Sequence, residues 1–435
     1  MKSTRKILYY LFLVILILAS TIEFATALPS EEKVRVIIKV DKKFDKGQIN
    51  SLGGIIKVEY ELIPAIVVEL PKSAVQKLSK LPGVLRVDYD GYVYAIGFSF
   101  HQKGKPVPEQ PAQQIPWGID RINAPEAWSY STGYADINGD GDSEIEVAII
   151  DTGVDQDHPD LLVNIKWGVG VLRGRISTKA ISWRDRNGHG THVAGIIAAL
   201  DNDIGVVGAA PNVELYIIKA LNDAGVGTWS DLILAIEVAM KGPDGVLDSD
   251  GDGIIVGDPE DDAPEVISMS LGGSSPPEEL HDIIIYAYNY NITIVAAAGN
   301  EGDPTPSYPA AYAEVIAVGA TDKNDNVPDW SNRNPEVAAP GVDILSTYPD
   351  NTYETLSGTS MACPHVSGTI ALIQAVRLTN DLTILPPGTE DDNSTTTIRG
   401  ILHTTADDEG PSGYDYLYGY GIIKADLAVQ KALNT

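Results

Sequence analysis

Three short segments place an aspartate, a histidine and a serine where their side chains could do chemistry together. Asp151 ends the apolar run EVAIID, His189 lies in NGHGTHVAG just before a helical pattern, and Ser360 lies in SGTSMACPHVSG at the start of another. A serine hydroxyl becomes a useful nucleophile when an imidazole takes its proton and a carboxylate holds that imidazole in the right tautomer. Each segment alone is typical of a cap or a turn, but the three together predict nucleophilic catalysis.

These three residues need a scaffold that brings distant parts of the chain together. From Trp117 onward, strand-like apolar runs alternate with helical patterns; the runs are EVAIID, ELYIIKAL, EVISMSL, ITIVAAAGN and VIAVGAT, and the helical patterns include HVAGIIAAL, SDLILAIEVAM, ELHDIIIYAYNY and SGTIALIQAV. This alternation predicts an α/β fold with a mostly parallel sheet that is covered by helices on both faces. Functional sites of such sheets lie at the carboxyl ends of strands, which is where Asp151 is expected.

Three further reactive side chains lie close to these residues in sequence. His192 follows His189 by three residues, and spacing alone does not decide which of the two is the base. Cys363, the only cysteine, lies one helical turn after Ser360 and is interpreted as a buried structural residue. His365 is also interpreted as structural. A chain with one cysteine forms no internal disulfide, so we expect another source of stability, such as calcium.

The three segments resemble the active-site motifs of the subtilisin-like serine proteases. The order Asp, His, Ser matches that family and differs from the orders of the α/β-hydrolases and the chymotrypsin-like enzymes. The likeness extends over nearly all of residues 112–435 and includes SMSLGG, AAAGNEG and YGYGIIKADLAVQ. The resemblance is strongest to the multi-calcium pro-subtilisins of hyperthermophilic archaea, and it implies a doubly wound, mostly parallel sheet.

The resemblance implies a role for each residue of the site. Asp151 would orient the imidazole, and His189 would act as general base and then as general acid, which leaves His192 as a packed helix residue. Ser360 would be the nucleophile. Asn300 of AAAGNEG would donate its amide to the oxyanion beside the backbone N–H of Ser360.

Substrate-binding residues are implied in the same way. SMSLGG and the residues before Asn300 resemble the walls of the primary specificity pocket, and AGVGTWS resembles the strand that pairs with an extended substrate. The residues concerned are Gly225, Val226, Gly227, Trp229, Ser270, Leu271, Gly272, Gly273, Ala297 and Gly299. The small side chains of the pocket walls, residues 268–273 and 297–299, imply room for a bulky apolar residue, and Trp229 would lie near a second apolar pocket. Broad specificity is therefore expected, and Glu301 beside Asn300 makes basic residues a further candidate.

The amino terminus has the layout of a secretory signal peptide. Lys2, Arg5 and Lys6 precede an apolar run over residues 7–19, and the small-residue motif ATA follows. We therefore expect residues 1–27 to be removed and the protein to be secreted to the extracellular space, without a membrane association afterwards. The alternative is an uncleaved anchor, for which the run is short.

Residues 28–96 carry a separate small α+β pattern, followed by a linker rich in Pro and Gln. The unit resembles the subtilisin propeptide, which implies a ferredoxin-like fold and a role as inhibitor and chaperone of its own enzyme. Its apolar tail YVYAIG suits the specificity pocket, so self-cleavage is expected between Ile96 and Gly97. Any other bond between residues 94 and 98 is an alternative cleavage site. Residues 97–435 would form the catalytic domain, with 97–111 as its extension.

The stretch DSDGDGIIVGDPEDD, residues 248–262, holds seven carboxylates and no Lys or Arg. Two like charges about 6 Å apart repel by roughly 3 kcal/mol at an effective dielectric near 20, so the stretch is either a solvated, disordered loop or a cation site. The first residues, DSDGDG, alternate oxygen ligands with other residues and include glycines for a sharp turn, as the start of a calcium-binding loop does. Pro259 at the twelfth position excludes an EF-hand, which has Glu there. The candidate ligands are Asp248, Asp250, Asp252, Ile254, Asp258, Asp261 and Asp262.

Two other loops are further calcium candidates, and several structural Ca²⁺ ions are expected in all. LDNDIGV resembles the high-affinity calcium loop of the family, with ligands from Gln113, Asp160, Leu200, Asn202, Ile204 and Val206. The loop DINGDGD shows the same alternation as the long acidic stretch and lies in an insertion relative to the archaeal relatives. Its candidate ligands are Asp136, Asn138, Asp140 and Asp142.

The net charge of −29 argues against nucleic acid as a partner. The sequence therefore predicts a secreted, calcium-stabilised endopeptidase that acts on proteins as a monomer. Two rival functions are weighed against it. A catalytically inactive binding module on the same fold would lack a member of the triad, whereas this chain has all three residues. An ester hydrolase would favour a G-x-S-x-G elbow, but the fifth position here is Ala362.

Overall fold

The computed structural model describes residues 31–97 and 110–435, which form an N-terminal α+β unit and a larger α/β body. The expected signal segment 1–27 and most of the predicted linker lie outside the described residues. Within the described ranges, no helix combines the length and the apolar character needed to cross a membrane.

The N-terminal unit is a four-stranded antiparallel sheet in the order β2-β3-β1-β4, which is the ferredoxin-like arrangement. Its elements are β1 Lys33–Val40, α1 Gly47–Ser51, β2 Ile55–Glu59, β3 Ala65–Pro71, a 3₁₀ turn Lys72–Ala74, α2 Val75–Leu78 and β4 Val84–Tyr89. Strand alternation explains its two faces. Val36 and Ile38 point into the unit's own core, whereas Ile37 between them packs against the larger body.

After β4 the chain leaves this sheet and enters the larger body as β5 Tyr92–Ala95. The strands of that body are β6 Glu146–Asp151, β7 Ile165–Leu172, β8 Arg175–Ser177, β9 Glu214–Lys219, β10 Val226–Thr228, β11 Val266–Met269, β12 Leu271–Gly272, β13 Thr293–Ala297, β14 Val315–Thr321, β15 Val337–Pro340, β16 Ile344–Tyr348 and β17 Thr352–Leu356. Eight of them form the central sheet in the order β15-β14-β13-β11-β6-β9-β7-β8. All run parallel except β8, which returns antiparallel along β7.

Helices cover both faces of the central sheet, which confirms the predicted α/β class. They are α3 Trp117–Arg121, α4 Ala124–Ala127, α5 Ala180–Trp183, α6 His189–Ala198, α7 Trp229–Lys241, α8 Glu278–Asn289, α9 Thr359–Leu378, α10 Ile398–Thr405 and α11 Ala425–Leu433. On β6, Val147 and Ile149 face the core beneath α6 and α9, and Ala148 and Ile150 face the core beneath α7 and α8. Burial on both faces explains why this strand is an unbroken apolar run.

The N-terminal unit packs its outer sheet face across α7 and α8. The carboxylate of Glu237 on α7 accepts the backbone N–H groups of Glu61 and Leu62, at 2.9 to 3.1 Å. Lys39 pairs with Asp282 of α8 at 2.7 Å. The apolar contact and the buried carboxylate together fix the unit over these two helices.

We expect Glu237→Ala to loosen the loop of the N-terminal unit that it holds. A hydrogen bond to a charged acceptor contributes about 1.5–3 kcal/mol, so amide hydrogen exchange at the part-buried N–H groups of Glu61 and Leu62 in the full chain should accelerate about tenfold or more. The matched control is Glu278→Ala, because Glu278 contacts Arg86 of the same unit but is exposed and an exposed ion pair is worth little. Equal exchange rates in the two variants would contradict the assigned role of Glu237.

Candidate active site

Asp151 and His189 meet at the carboxyl edge of the central sheet. Asp151 is the last residue of β6 and His189 the first of α6, and both side chains are buried. His189 Nδ1 lies 2.8 Å from Asp151 Oδ1 and 2.9 Å from Oδ2. This contact fixes the plane of the imidazole and leaves Nε2 as the nitrogen that faces the cleft.

The loop before His189 is organised by Asp185, which the sequence analysis did not identify. Its buried carboxylate accepts the Gly188 N–H at 2.9 Å, the Thr191 hydroxyl at 2.7 Å and the Thr152 hydroxyl at 3.0 Å. Burial raises the pKa of Asp185, while these donors act in the opposite direction. Asp185 thereby ties the start of α6 to the end of β6; the signal in the sequence was an aspartate four residues before the histidine.

Ser360 lies in the first turn of α9, beside the same cleft. Its Oγ donates to the backbone oxygen of Ser270 at 3.0 Å, and Ser270 Oγ donates to the Ser360 carbonyl at 2.8 Å. That carbonyl needs a side-chain donor because Pro364, four residues on, has no N–H. Among the hydrogen bonds of the described residues, none joins Ser360 to His189, so the hydroxyl is turned away from the imidazole.

Asn300 faces the cleft with its amide nitrogen. Its Oδ1 accepts both the backbone N–H and the hydroxyl of Thr359, each at 3.0 Å, which orients the side chain. A Cβ placed on Gly358 would lie 3.0 Å from Asn300 Nδ2 and 3.2 Å from the carbonyl oxygen of Ile96. The Ile96 carbonyl and the Asn300 amide therefore border the same small space.

The peptide bond between Ile96 and Gly97 lies against the imidazole. A Cβ on Gly97 would be 3.2 Å from His189 Nε2. Burial of the imidazole lowers its pKa, but the charge of Asp151 and its hydrogen bond raise it by more, so the pKa of His189 is raised overall. The site therefore favours a positively charged imidazole more than water does.

The residues predicted to bind substrate form the two edges of the cleft, and β5 pairs with both. Val226 and Gly227 of β10 pair antiparallel with Tyr94 and Val93, and Leu271 and Gly272 of β12 pair antiparallel with Ala95 and Tyr94. The Ala95 N–H donates to the Gly225 carbonyl at 2.9 Å, and the Ile96 N–H donates to the Ser270 carbonyl at 3.2 Å. The tail of the N-terminal unit is thus the middle strand of a three-stranded sheet.

The side chain of Ile96 enters a cavity of about 510 Å³ whose lining includes Gly272, Gly273 and Glu301. A Cβ on Gly272 would approach the Ile96 side chain to 2.5 Å, so glycine at this position leaves the space that the side chain fills. Two other predicted residues lie behind this wall: Ala297 ends β13 in the core, and the Gly299 N–H donates to Thr359. Trp229 is buried beneath Gly273 and packs in the same apolar cluster as Val93.

The other reactive side chains have structural surroundings. His192 Nε2 lies 3.0 Å from the Ile344 carbonyl, and burial lowers the pKa of His192 to about 3. His365 Nδ1 lies 2.8 Å from the Met361 carbonyl, and burial lowers its pKa to about 4. Cys363 is fully buried, which raises the pKa of its thiol to about 11. None of these groups faces the tail in the cleft.

The loop around residues 200–206 is closed by Gln113 and Asp160. Gln113 Oε1 accepts the N–H groups of Asn202 and Asp203, at 2.7 and 3.0 Å. Asp160 Oδ2 accepts the Tyr353 hydroxyl at 2.8 Å and a backbone N–H, whereas its Oδ1 is buried without a donor. Within the described chain, no donor reaches the carbonyl oxygens of Leu200, Ile204 or Val206 either. A hard cation such as Ca²⁺ fits these unsatisfied oxygens.

Only part of the long acidic stretch gathers at one point. Carboxylate oxygens of Asp248, Asp250 and Asp261 lie within 4.8 Å of one another, and Asp261 Oδ2 is buried without a donor. The predicted ligands Asp252, Asp258 and Asp262 are outside this cluster of carboxylates, and the predicted ligand Ile254, which would use its backbone carbonyl, has an exposed side chain. The stretch is anchored rather than solvated throughout, because its two central residues, Ile255 and Val256, are buried in the core.

The two acidic loops border one cavity of about 330 Å³. Its lining includes the predicted ligands Asn138, Asp140, Asp142, Asp258, Asp261 and Asp262. The fourth residue of the short loop, Asp136, instead accepts the N–H groups of Gly139 and Gly141 and shapes the turn. Glu265 lies at the floor of the cavity, where burial raises its pKa to about 7.

Comparison with known proteins places this geometry in a family. Residues 142–421 match the family model described as the subtilase family. The chain is 37% identical over 374 residues to the alkaline protease of Alkalihalobacillus alcalophilus, covering 86% of this chain and 81% of that protein. It is 39% identical over 321 residues to subtilisin Savinase of Lederbergia lenta, covering 73% of this chain and 100% of that protein. With subtilisin E of Bacillus subtilis it shares 35% identity over 391 residues, 88% of this chain and 86% of that protein.

These relatives are bacterial, so they do not support the predicted closeness to archaeal pro-subtilisins. They do extend across the central sheet, the cleft and, for two of the three, more than four fifths of the chain. The matched region includes every element that carries Asp151, His189, Asn300 and Ser360. The chain belongs to the subtilase family of serine endopeptidases.

Proposed function

We propose that this subtilase is a secreted, calcium-stabilised endopeptidase of broad specificity, made as a proenzyme that cleaves itself between Ile96 and Gly97. The observation that carries the proposal is the strand β5, which lies between β10 and β12 and presents the Ile96 carbonyl beside His189 and Asn300. A polypeptide held in this way has the extended backbone and the side-chain pocket that a protein substrate needs.

In the proposed reaction, His189 Nε2 takes the proton of Ser360 Oγ as that oxygen attacks the substrate carbonyl carbon. A tetrahedral intermediate forms, and His189 then gives its proton to the leaving amine, which leaves an acyl group on Ser360. A water molecule, activated by the same imidazole, hydrolyses the acyl-enzyme and restores the site. The hydroxyl, now bonded to Ser270, has to turn to another staggered rotamer before the first step.

Two electrostatic contributions support the reaction. The Asp151 carboxylate favours the imidazolium that forms when Ser360 loses its proton, in agreement with the raised pKa of His189. The Asn300 amide and the Ser360 N–H would donate to the oxygen of the tetrahedral intermediate, where negative charge develops. Both groups are held before the substrate arrives, so little reorganisation accompanies the charge.

The same contacts support a role for residues 28–96 as an inhibitor after cleavage. The strand pairing of β5, the apolar packing on α7 and α8, and the Glu237 contact do not involve the cleaved bond. A cleaved N-terminal unit would therefore keep most of its interface and cover the cleft as a bound product. Degradation of this unit would release the active enzyme.

Calcium is proposed as a structural ligand at the loops described above. Asp160 with the free carbonyl oxygens, and the cluster of Asp248, Asp250 and Asp261, would hold it, because both have buried oxygens without donors. A bound ion offsets the repulsion between the carboxylates and stabilises only the folded chain. Secretion is proposed from the signal-like layout of residues 1–27.

We expect Ser360→Ala to lose nearly all hydrolysis of casein while the fold, followed by circular dichroism, stays intact. The loss should approach the roughly 10⁶-fold known for subtilisin itself. Cys363→Ala is the control, since this buried thiol is the rival nucleophile and should be dispensable. Activity that persists in the serine variant, or disappears in a folded cysteine variant, would contradict the assignment, and hydrolysis of esters without peptides would favour the esterase alternative.

Amino-terminal sequencing tests the proposed processing. The active wild-type enzyme should begin at Gly97, and the Ser360→Ala variant expressed alone should keep residues 28–96 covalently attached. A mature enzyme that begins at Leu28 would overturn the proposal, and so would equal processing of the two proteins.

Removal of two clustered carboxylates tests the calcium proposal. Asp250→Asn with Asp261→Asn should lower the melting temperature in calcium by several degrees and bring it close to that of the wild type in excess chelator. Binding only to the folded state contributes RT ln(1 + [L]/Kd), about 4 kcal/mol at a thousand times Kd. The control pair Asp343→Asn with Asp381→Asn changes the charge equally at exposed positions outside the cluster. A calcium effect on melting that is the same in both double variants would exclude the cluster as a calcium site.

A further inference from the structure

A basic groove lies next to the cleft of this strongly acidic protein. The chain has 31 Lys and Arg against 60 Asp and Glu, yet a cavity of about 560 Å³ is lined by Arg173, Arg175, Arg184, Arg186 and Lys219. The four arginines are exposed, and they come from the β7–β8 hairpin and from the segment between α5 and α6. We call these residues the arginine groove.

Most cationic side chains of the arginine groove are not engaged in ion pairs among the described residues. Among the described residues that line it, the one carboxylate is that of Asp223, which lies 2.9 Å from Lys219 and 3.4 Å from Arg186. Among the ion pairs of the described residues, none involves the three other arginines. The groove is therefore a local region of positive potential in a molecule that otherwise repels anions.

The arginine groove is continuous with the substrate cleft. Residues 222–224 form its near rim and lead directly into Gly225, whose carbonyl holds the Ala95 N–H. A smaller cavity contains Ala95 together with Asn187 and Ala224, and Asn187 is the neighbour of Arg186 in the chain. Ala224 lines both cavities, so the space beside the Ala95 side chain adjoins the arginine groove.

We propose that the arginine groove selects polypeptide substrates with an acidic side chain at the position that Ala95 occupies, one residue before the residue whose carbonyl is attacked. The inference rests on the proposed function of the cleft. A glutamate there carries its carboxylate on a flexible stem toward guanidinium groups, which match carboxylates in shape and charge. Screening confines the repulsion by distant acidic residues to about 8–10 Å at moderate salt, so the nearby arginines decide the local preference.

Three chromogenic peptides built on the chain's own tail test the proposal: Val-Tyr-Ala-Ile, Val-Tyr-Gln-Ile and Val-Tyr-Glu-Ile, each followed by the leaving group. The purified, self-processed enzyme should cleave the Glu peptide with a kcat/KM about three- to tenfold above that of the isosteric Gln peptide, since exposed ion pairs are individually weak and several arginines line the groove. The preference should fall as salt is raised, which a purely steric effect would not do.

Variants then locate the effect. Arg184→Gln with Arg186→Gln should remove the preference for Glu over Gln and leave cleavage of the Ala peptide nearly unchanged. The control pair Lys323→Gln with Lys431→Gln removes the same charge from exposed sites elsewhere and should keep the preference. If the enzyme cleaves the Ala peptide but cleaves the Glu and Gln peptides at equal rates, the proposed selectivity of the arginine groove is wrong while the proposed function stands. Equal effects of the two variant pairs would lead to the same conclusion. Failure to cleave any of the three peptides would overturn the proposed function and this inference with it.

Discussion

The parallel direction of the central strands is the constraint on which the rest of the structure depends. Parallel neighbours place all their carboxyl ends at one edge of the sheet, and the chain must leave that edge through loops and helix starts. Asp151 is at the end of β6, and His189 begins a helix at the same edge. The side chains of two residues 38 positions apart thus come within 2.8 Å of each other, while the strand that carries Asp151 and the helix that carries His189 remain buried.

The cleft itself depends on two strands, β10 and β12, that lie outside the central sheet. β10 and β12 are short, and each presents free backbone groups to the space between them, where β5 completes a three-stranded sheet. Backbone pairing recognises any extended chain, while Gly272 leaves the space that the Ile96 side chain fills and Trp229 packs beneath Gly273. The broad specificity and the inhibition by the N-terminal tail that we propose both rest on this recognition of backbone.

Acidic and basic side chains are concentrated in separate regions of this molecule. The two acidic loops border a common cavity, and the arginine groove borders the cleft. In the first arrangement carboxylates at short range repel one another, and Asp261 Oδ2 is buried without a donor, while Lys166 pairs with Asp142 at the same cavity. The second keeps its charge exposed beside the bound tail. The proposals for calcium binding and for substrate choice therefore concern separate regions of the molecule.

The sequence by itself determined the α/β class and the strand β6, because unbroken apolar runs that alternate with helical patterns have few other solutions. It also marked Asp151, His189, Asn300 and Ser360, since their motifs are local and resemble one family. Only the tertiary structure decided what depends on distant contacts. It placed Ile96 in its pocket, gathered three carboxylates of the seven in the long acidic stretch, and revealed Asp185 and the arginine groove. Spacing in the sequence did not show which of these groups come together, because that depends on contacts made only in the folded chain.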